Sequence, residues 1–205
     1  DHGTAYPFPI ALRDGRALFV TGQGEGRVVC KVVEPEWLTE THQEEHFTDG
    51  LDGWSVFGTK GVELLSHPER TGDHVLGIRK ADTEWPACAV WNFPTGEMGT
   101  IRFRIRSSPG FGGLSIGITD HFSTPFDMED VFHNLFTMTL PIETMPAGSW
   151  HDVAVQWDCA AKTCGVQVNG ILQNTAQQTR DSRTPCYLRL RAMASTAYGV
   201  DHPDY

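Results

Sequence analysis

The stretch TIRFRIR at 100–106 alternates without a break: Ile101, Phe103 and Ile105 fall on one side of an extended chain, and Arg102, Arg104 and Arg106 on the other. YLRLRA at 187–192 repeats the pattern with Leu188 and Leu190. A period of two suits a β-strand with one face buried and one in water, because a slip of one residue would turn every apolar side chain outward. WSVFG, GVELLSH, HVLGIRK, ACAVWNF, GLSIGIT, LFTMTLP, WHDVAVQWD, TCGVQVNG and ILQN add further short strands at roughly even spacing. Between two of them, Asn169-Gly170 suits the type I′ turn of a tight hairpin. Some ten such strands are buried economically as a two-sheet antiparallel sandwich, with Ile101, Phe103, Ile105, Leu188 and Leu190 in its core.

Composition agrees with an all-β reading. The chain has 205 residues, 40% of them hydrophobic, which is enough for a sizeable core. Its 21 glycines and 12 prolines punctuate short segments where long helices would need uninterrupted runs. With 26 acidic against 16 basic residues the formal charge is −10, which repels nucleic-acid phosphates and anionic membrane surfaces. No run reaches the ~18–20 apolar residues of a membrane helix, and the start DHGTAYPFPI has neither the basic nor the apolar region of a signal peptide. Five cysteines without a CxxC pair argue against structural zinc and leave at least one thiol unpaired within the chain.

Three segments follow one another. Residues 1–33 read as a β-meander, with turns at Asp14-Gly15 and Gly24-Glu25-Gly26. Such a short meander can hardly bury its own faces, so it is expected to pair with strands from elsewhere, either a missing domain or a second chain. Residues 34–46 are a polar, acidic connector with a helical turn expected at Pro35 to Thr39, and 47–205 form the sandwich. GQGEG lies between strands and lacks the Lys-Ser/Thr of a phosphate loop, so it is read as a turn.

The densest chemistry lies in GITDHFSTPFDMEDVFHNLF at 117–136. Asp120, Asp127, Glu129, Asp130, His121 and His133 could supply acid, base or ligand groups, although paired glycosidase carboxylates must also stand ~5–9 Å apart across a cleft. A helical turn is expected at Phe126 to Phe132, with Phe122, Phe126 and Phe132 holding the loop against the body of the domain. Held there, Asp120, Asp127 and Asp130 would repel one another, and a hard divalent cation such as Ca²⁺ would offset that repulsion. The same loop can instead be a solvated connection, or place His121 and His133 against a sugar.

Among the tryptophans, Trp54, Trp91, Trp150 and Trp157 sit within strand patterns and are assigned to the core, while Trp37 and Trp85 are freer to offer an exposed face for a sugar ring. Cys159 and Cys164 flank a turn where opposed positions come close enough for a disulfide, which would imply an oxidising, extracytoplasmic setting. His151 has no local motif that would make it the base of a cysteine nucleophile.

YPFPIALRDGRALFVTGQGEGRVVCKVVEPEWL resembles the closing blade of sialidase-like (BNR-repeat) β-propellers. FTDGLDGWSVFGTKGVELL, WNFPTGEMGTIRFRIR, SWHDVAVQWD, VQVNG and CYLRLRA resemble a laminin-G or concanavalin-like jelly-roll sandwich. Together they look like the C-terminal part of a carbohydrate-active protein. The resemblance implies one loop-bound calcium, as laminin-G-like sandwiches often carry, and a larger parent whose catalytic arginines, tyrosine and acids come from several blades. This chain holds one blade at most, and Arg13, Arg16 and Arg27 do not form the arginine cluster, so no catalytic residue carries over. The chain is therefore expected to be a piece of a longer protein and a carbohydrate-associated module without catalysis of its own. A glycosidase subunit using carboxylates of the 120–133 loop, and a structural or interaction domain, are the alternatives.

Overall fold

The structure, a computed structural model, describes residues 8–23, 27–56, 61–79, 87–121, 125 and 132–194. The chain divides into two compact units, Asp1–Gln43 and Glu44–Tyr205.

In the first unit, strands β1 (Phe8–Ala11), β2 (Ala17–Gln23) and β3 (Arg27–Val33) form an antiparallel meander in the order β1-β2-β3. Gly15, at φ +90°, completes the first turn, and Arg16 donates to the Asp14 carboxylate at 2.7 and 2.9 Å. The expected helical turn is a 3₁₀ helix over Pro35–Thr39, with proline in its first turn where a missing N–H costs nothing. Register sets Ile10 and Val32 on either side of Leu18, and Cys30 beside Val20, so one face of the meander is apolar. None of this unit's described residues is buried.

The second unit is the sandwich. Strands β4 (Trp54–Ser55), β7 (Cys88–Asn92), β9 (Phe111–Thr119), β10 (Phe136–Pro141) and β14 (Tyr187–Ala194) make a five-stranded sheet in the order β10-β9-β14-β7-β4. Strands β8 (Met98–Arg106), β11 (Trp150–Asp158), β12 (Thr163–Val168) and β13 (Ile171–Gln177) make a four-stranded sheet in the order β13-β12-β11-β8. A separate hairpin joins β5 (Val62–Ser66) and β6 (His74–Ile78). Every strand pair is antiparallel.

The alternation read in the sequence sets which residues face inward. Leu114, Ile116, Ile118, Phe136, Met138, Leu140, Leu188 and Leu190 from one sheet meet Ile101, Val153, Val155, Trp157, Val166 and Val168 from the other in a single buried cluster. Burying each such side chain is worth ~1.5–3 kcal/mol. Phe103 and Ile105 pack against its margin, half-buried. Glu45, read as connector, belongs to this unit: its carboxylate accepts from the Phe47 backbone N–H at 2.6 Å and the Trp54 indole at 3.2 Å. At the β12–β13 turn, Asn169 and Gly170 have φ of +51° and +79°, as a type I′ turn requires. His151 is buried in the same region, one ring nitrogen bonded to the Pro146 carbonyl at 3.0 Å and the other to Asn169 Nδ2 at 3.2 Å, so neither is available as a base.

Two expectations need correction. Trp150 is on the outer face of β11, not in the core: Arg104 lies 5.2 Å from its ring and His67 stacks on it at 5.3 Å. The strand's parity explains this, since Val153, Val155 and Trp157 take the inward positions. The bridge between Cys159 and Cys164 is not formed, and both are free buried thiols. The β11–β12 ladder closes at Asp158 and Thr163, and Cys164 stands opposite Trp157, so Cys159 falls in the turn rather than across from its expected partner. Burial, with a smaller contribution from Cys159, pushes the Cys164 thiol up to about 12, far from the thiolate that disulfide exchange uses. The oxidising compartment inferred from the bridge loses its support.

Candidate functional site at the rim of the sandwich

Three segments meet where β9 ends and β10 begins. The ladder runs past its formal end through Leu135 N–H to the Ile118 carbonyl at 2.7 Å. The segment between β13 and β14 is then tied on: Thr179 N–H donates to the Leu135 carbonyl at 3.0 Å, its hydroxyl to the Asn134 carbonyl at 2.6 Å, and Cys186 N–H to the Thr119 carbonyl at 3.0 Å. Asp120, His121, His133 and Arg180 are thereby collected around a shallow, open depression.

Arg180 lies fork-on to Asp120: one terminal nitrogen donates to Asp120 Oδ2 at 2.9 Å, and the other bonds Oδ1 and also donates to the His133 carbonyl at 3.0 Å. Bidentate geometry of this kind fixes orientation as well as charge. Arg180's hydrogen bonds, above all, and then one from Ser182, hold the Asp120 carboxyl well below the usual carboxylate range, against the opposing pull of partial burial. Thr119 Oγ1 lies 2.9 Å from His121 Nδ1 and donates to the His133 carbonyl at 3.3 Å, and Asp120 Oδ1 is 3.5 Å from the same Nδ1. Since the Thr119 hydroxyl hydrogen goes to the His133 carbonyl, its oxygen is placed to accept from His121 Nδ1. The His121 and His133 rings meet edge to face with centroids 5.3 Å apart.

Among the described residues lining this depression, Asp120 is its one carboxylate. Held ionised, it has no proton to give a leaving group. Asp127, Glu129, Asp130 and Trp85 lie outside the described residues, as do Phe122 and Phe126. The Asp120 carboxylate is paired with Arg180. Among the described residues, no group of three or more His, Cys, Asp or Glu side chains could hold a metal. Phe132, expected to anchor the loop, is 80% exposed next to His133, and Trp37 is exposed. Arg180 was missed from sequence because sixty residues separate it from Asp120 and nothing in TRDSR at 179–183 distinguishes it from a solvated turn arginine.

No family model matches the chain, and no curated protein matches it. Part of a solved sialidase has this fold. That likeness has a TM-score of 0.54 at 12% identity and takes in 99% of this chain but 20% of the sialidase, so the chain spans a fifth of that protein's length. Weaker likenesses reach the carbohydrate recognition domain of Emp47p (TM-score 0.37, 11% identity, 71% of this chain and 82% of that one) and a β-glucanase of Bacillus licheniformis (TM-score 0.34, 12% identity, 74% and 75%).

The ion pair carries a pH signature. A carboxyl whose folded value is depressed adds stability that is fully present above its unfolded value of ~3.9 and is lost as pH falls through the folded value. Arg180→Ala should therefore return Asp120 towards the ordinary range and cost about 1 kcal/mol at neutral pH, shrinking to nothing in strong acid. Carbon-detected NMR titration of Asp120 reads the first effect and urea unfolding at pH 7 and below pH 3 the second; an Asp120 titration unmoved by the substitution would show that Arg180 is not what holds it.

Proposed function

We propose that this chain is a carbohydrate-associated, lectin-like sandwich module of a sialidase-like glycoside-acting protein and does no catalysis alone. The observation that carries this reading is the ionised Asp120 clamped by Arg180 in an open depression, bordered by two imidazoles. Fixed N–H donors beside a carboxylate and two imidazoles suit sugar hydroxyls, which both donate and accept, and the exposed Phe132 ring beside them offers an apolar face to the C–H side of a pyranose. Glycoside hydrolysis needs an acid that still holds its proton, a condition Asp120 does not meet. The likeness to part of a sialidase supports the fold in which such a module is built.

The meander at 8–33 fits the same reading as a blade completed by a propeller in the rest of that protein, since it has three short strands and no buried residue among those described. The experiment is a glycan array on the whole chain, run beside a glycoside-hydrolysis assay. Retention of at least one glycan class is expected, with Arg180→Ala and Phe132→Ala each weakening it about tenfold or more and no turnover above background. Turnover by the isolated chain would establish a hydrolase instead, and a chain that retains no glycan would be a scaffold.

A further inference from the structure

On the outer face of the five-stranded sheet, one residue along from His133, Asn134 is 2% exposed. Its Nδ2 donates to Thr137 Oγ1 at 3.1 Å, but its Oδ1 is buried without a partner among the described residues. A buried amide oxygen left in this way costs ~1–3 kcal/mol, so its surroundings should supply a donor. Asn134 borders a cavity of about 20 Å³ whose other walls are Ser115, Gly117, Arg189 and Arg191. One water needs ~10–15 Å³.

The cavity is formed by specific residues rather than left by loose packing. A Cβ on Gly117 would lie 2.4 Å from Asn134 Nδ2, so the missing side chain is what lets the amide lie flat on β9. In register, Ser115 stands between Thr139 of β10 and Arg191 of β14. Ser115 and Arg191 are half-buried and Thr139 is exposed, which gives the socket a mouth to solvent. The wall offers donors from Arg191 and Ser115 and an acceptor from Asn134. An anion cannot donate to Asn134 Oδ1, whereas a hydroxyl oxygen satisfies both sides. Turning the amide over exchanges which end faces the socket, and a hydroxyl serves either.

We propose that this socket binds one hydroxyl oxygen: a water in the free protein and, in the complex, a hydroxyl of the second sugar of a bound glycan. This rests on the carbohydrate reading above and narrows the ligand to an oligosaccharide. Gly117 and Asp120 are three residues apart, ~10 Å along an extended strand, a span that one sugar ring does not cover.

The test uses an array of matched mono-, di- and trisaccharides sharing one terminal sugar, with the whole chain, Asn134→Ala and Ser115→Ala, the last at a half-exposed position that the fold tolerates. Wild type should retain the di- and trisaccharides at least tenfold better than the monosaccharide, and both variants should erase that preference while leaving monosaccharide binding unchanged. A crystal structure of the free protein should show a water within hydrogen-bonding distance of Asn134. Equal retention of mono- and oligosaccharides, variants that keep the preference, or an empty socket would each overturn this inference and leave the rim site standing. Retention of no sugar at all would sink the carbohydrate reading itself.

Discussion

Trp157→Ala is expected to cost ~3–5 kcal/mol, a large share of the ~5–15 kcal/mol that holds a domain of this kind folded. Trp157 is 4% exposed on the inward face of β11 and packs on Phe93 with ring centroids 5.4 Å apart. Its indole N–H donates to the Gly96 carbonyl at 3.0 Å. The six-membered ring lies across Gly99, where a Cβ would come within 2.3 Å of it, so the strand backbone itself forms the wall of the pocket. Truncation therefore removes the ring, opens a cavity that rigid backbone cannot close, and leaves the Gly96 carbonyl without its donor. Urea unfolding followed by circular dichroism measures the loss. A cost below about 1 kcal/mol would mean that the Gly96 to Gly99 segment collapses onto the space and that Trp157 is not a keystone of the core.

Removing residues 1–43 is expected to change the state of association rather than the stability of the sandwich. The unit Asp1–Gln43 contains no buried residue among those described, while Val28 is 64% and Trp37 60% exposed. Ile10 and Val32 extend the exposed apolar face, and among the described residues no further strand pairs with β1 or β3 at the edges of the sheet. Open edges and a bare apolar face are both unfavourable in water and recruit other chains. The whole chain should therefore self-associate at micromolar concentration and enhance the fluorescence of a hydrophobic dye. A chain starting at Glu44 should be monomeric, with an unchanged unfolding midpoint, because Glu45, Phe47 and Trp54 remain together. Sedimentation velocity separates the outcomes: a whole chain as monomeric and as dye-silent as the truncated one would show that the meander needs no partner.

Much of the fold is legible in the sequence, for local reasons. Alternation in TIRFRIR and YLRLRA dictates which face of a strand is buried, and Asn169-Gly170 dictates a turn with positive φ, because both depend on side-chain sterics within a few residues. Alternation does not say which of a strand's two sides carries an aromatic ring inward. Trp150 and Trp157 lie seven residues apart on one strand, an odd separation that puts them on opposite faces, and the sequence reading placed both inside.

The candidate site was legible only in part. Asp120, His121 and His133 were singled out from the composition of one loop. Arg180, which determines Asp120's ionisation, arrives from a segment between two other strands. The apolar side chain of Phe132 predicts an anchor, yet it stands in solvent. Asn134 drew no notice, since an asparagine before a strand is ordinary until Gly117 is seen to lie beneath it.

The all-β class, the succession of strands along the chain, the inward faces of β8 and β14 and the Asn-Gly turn are all written in local sequence. These follow from side-chain periodicity and from the φ angles glycine and asparagine tolerate. Other features arise only when distant segments come together: Asp120 pairs with an arginine from another segment, Cys159 and Cys164 miss each other across their turn, and a single missing Cβ seats Asn134 above a socket. Each depends on ångström-scale distances between segments far apart in the chain, which packing of the two sheets sets and no local pattern records.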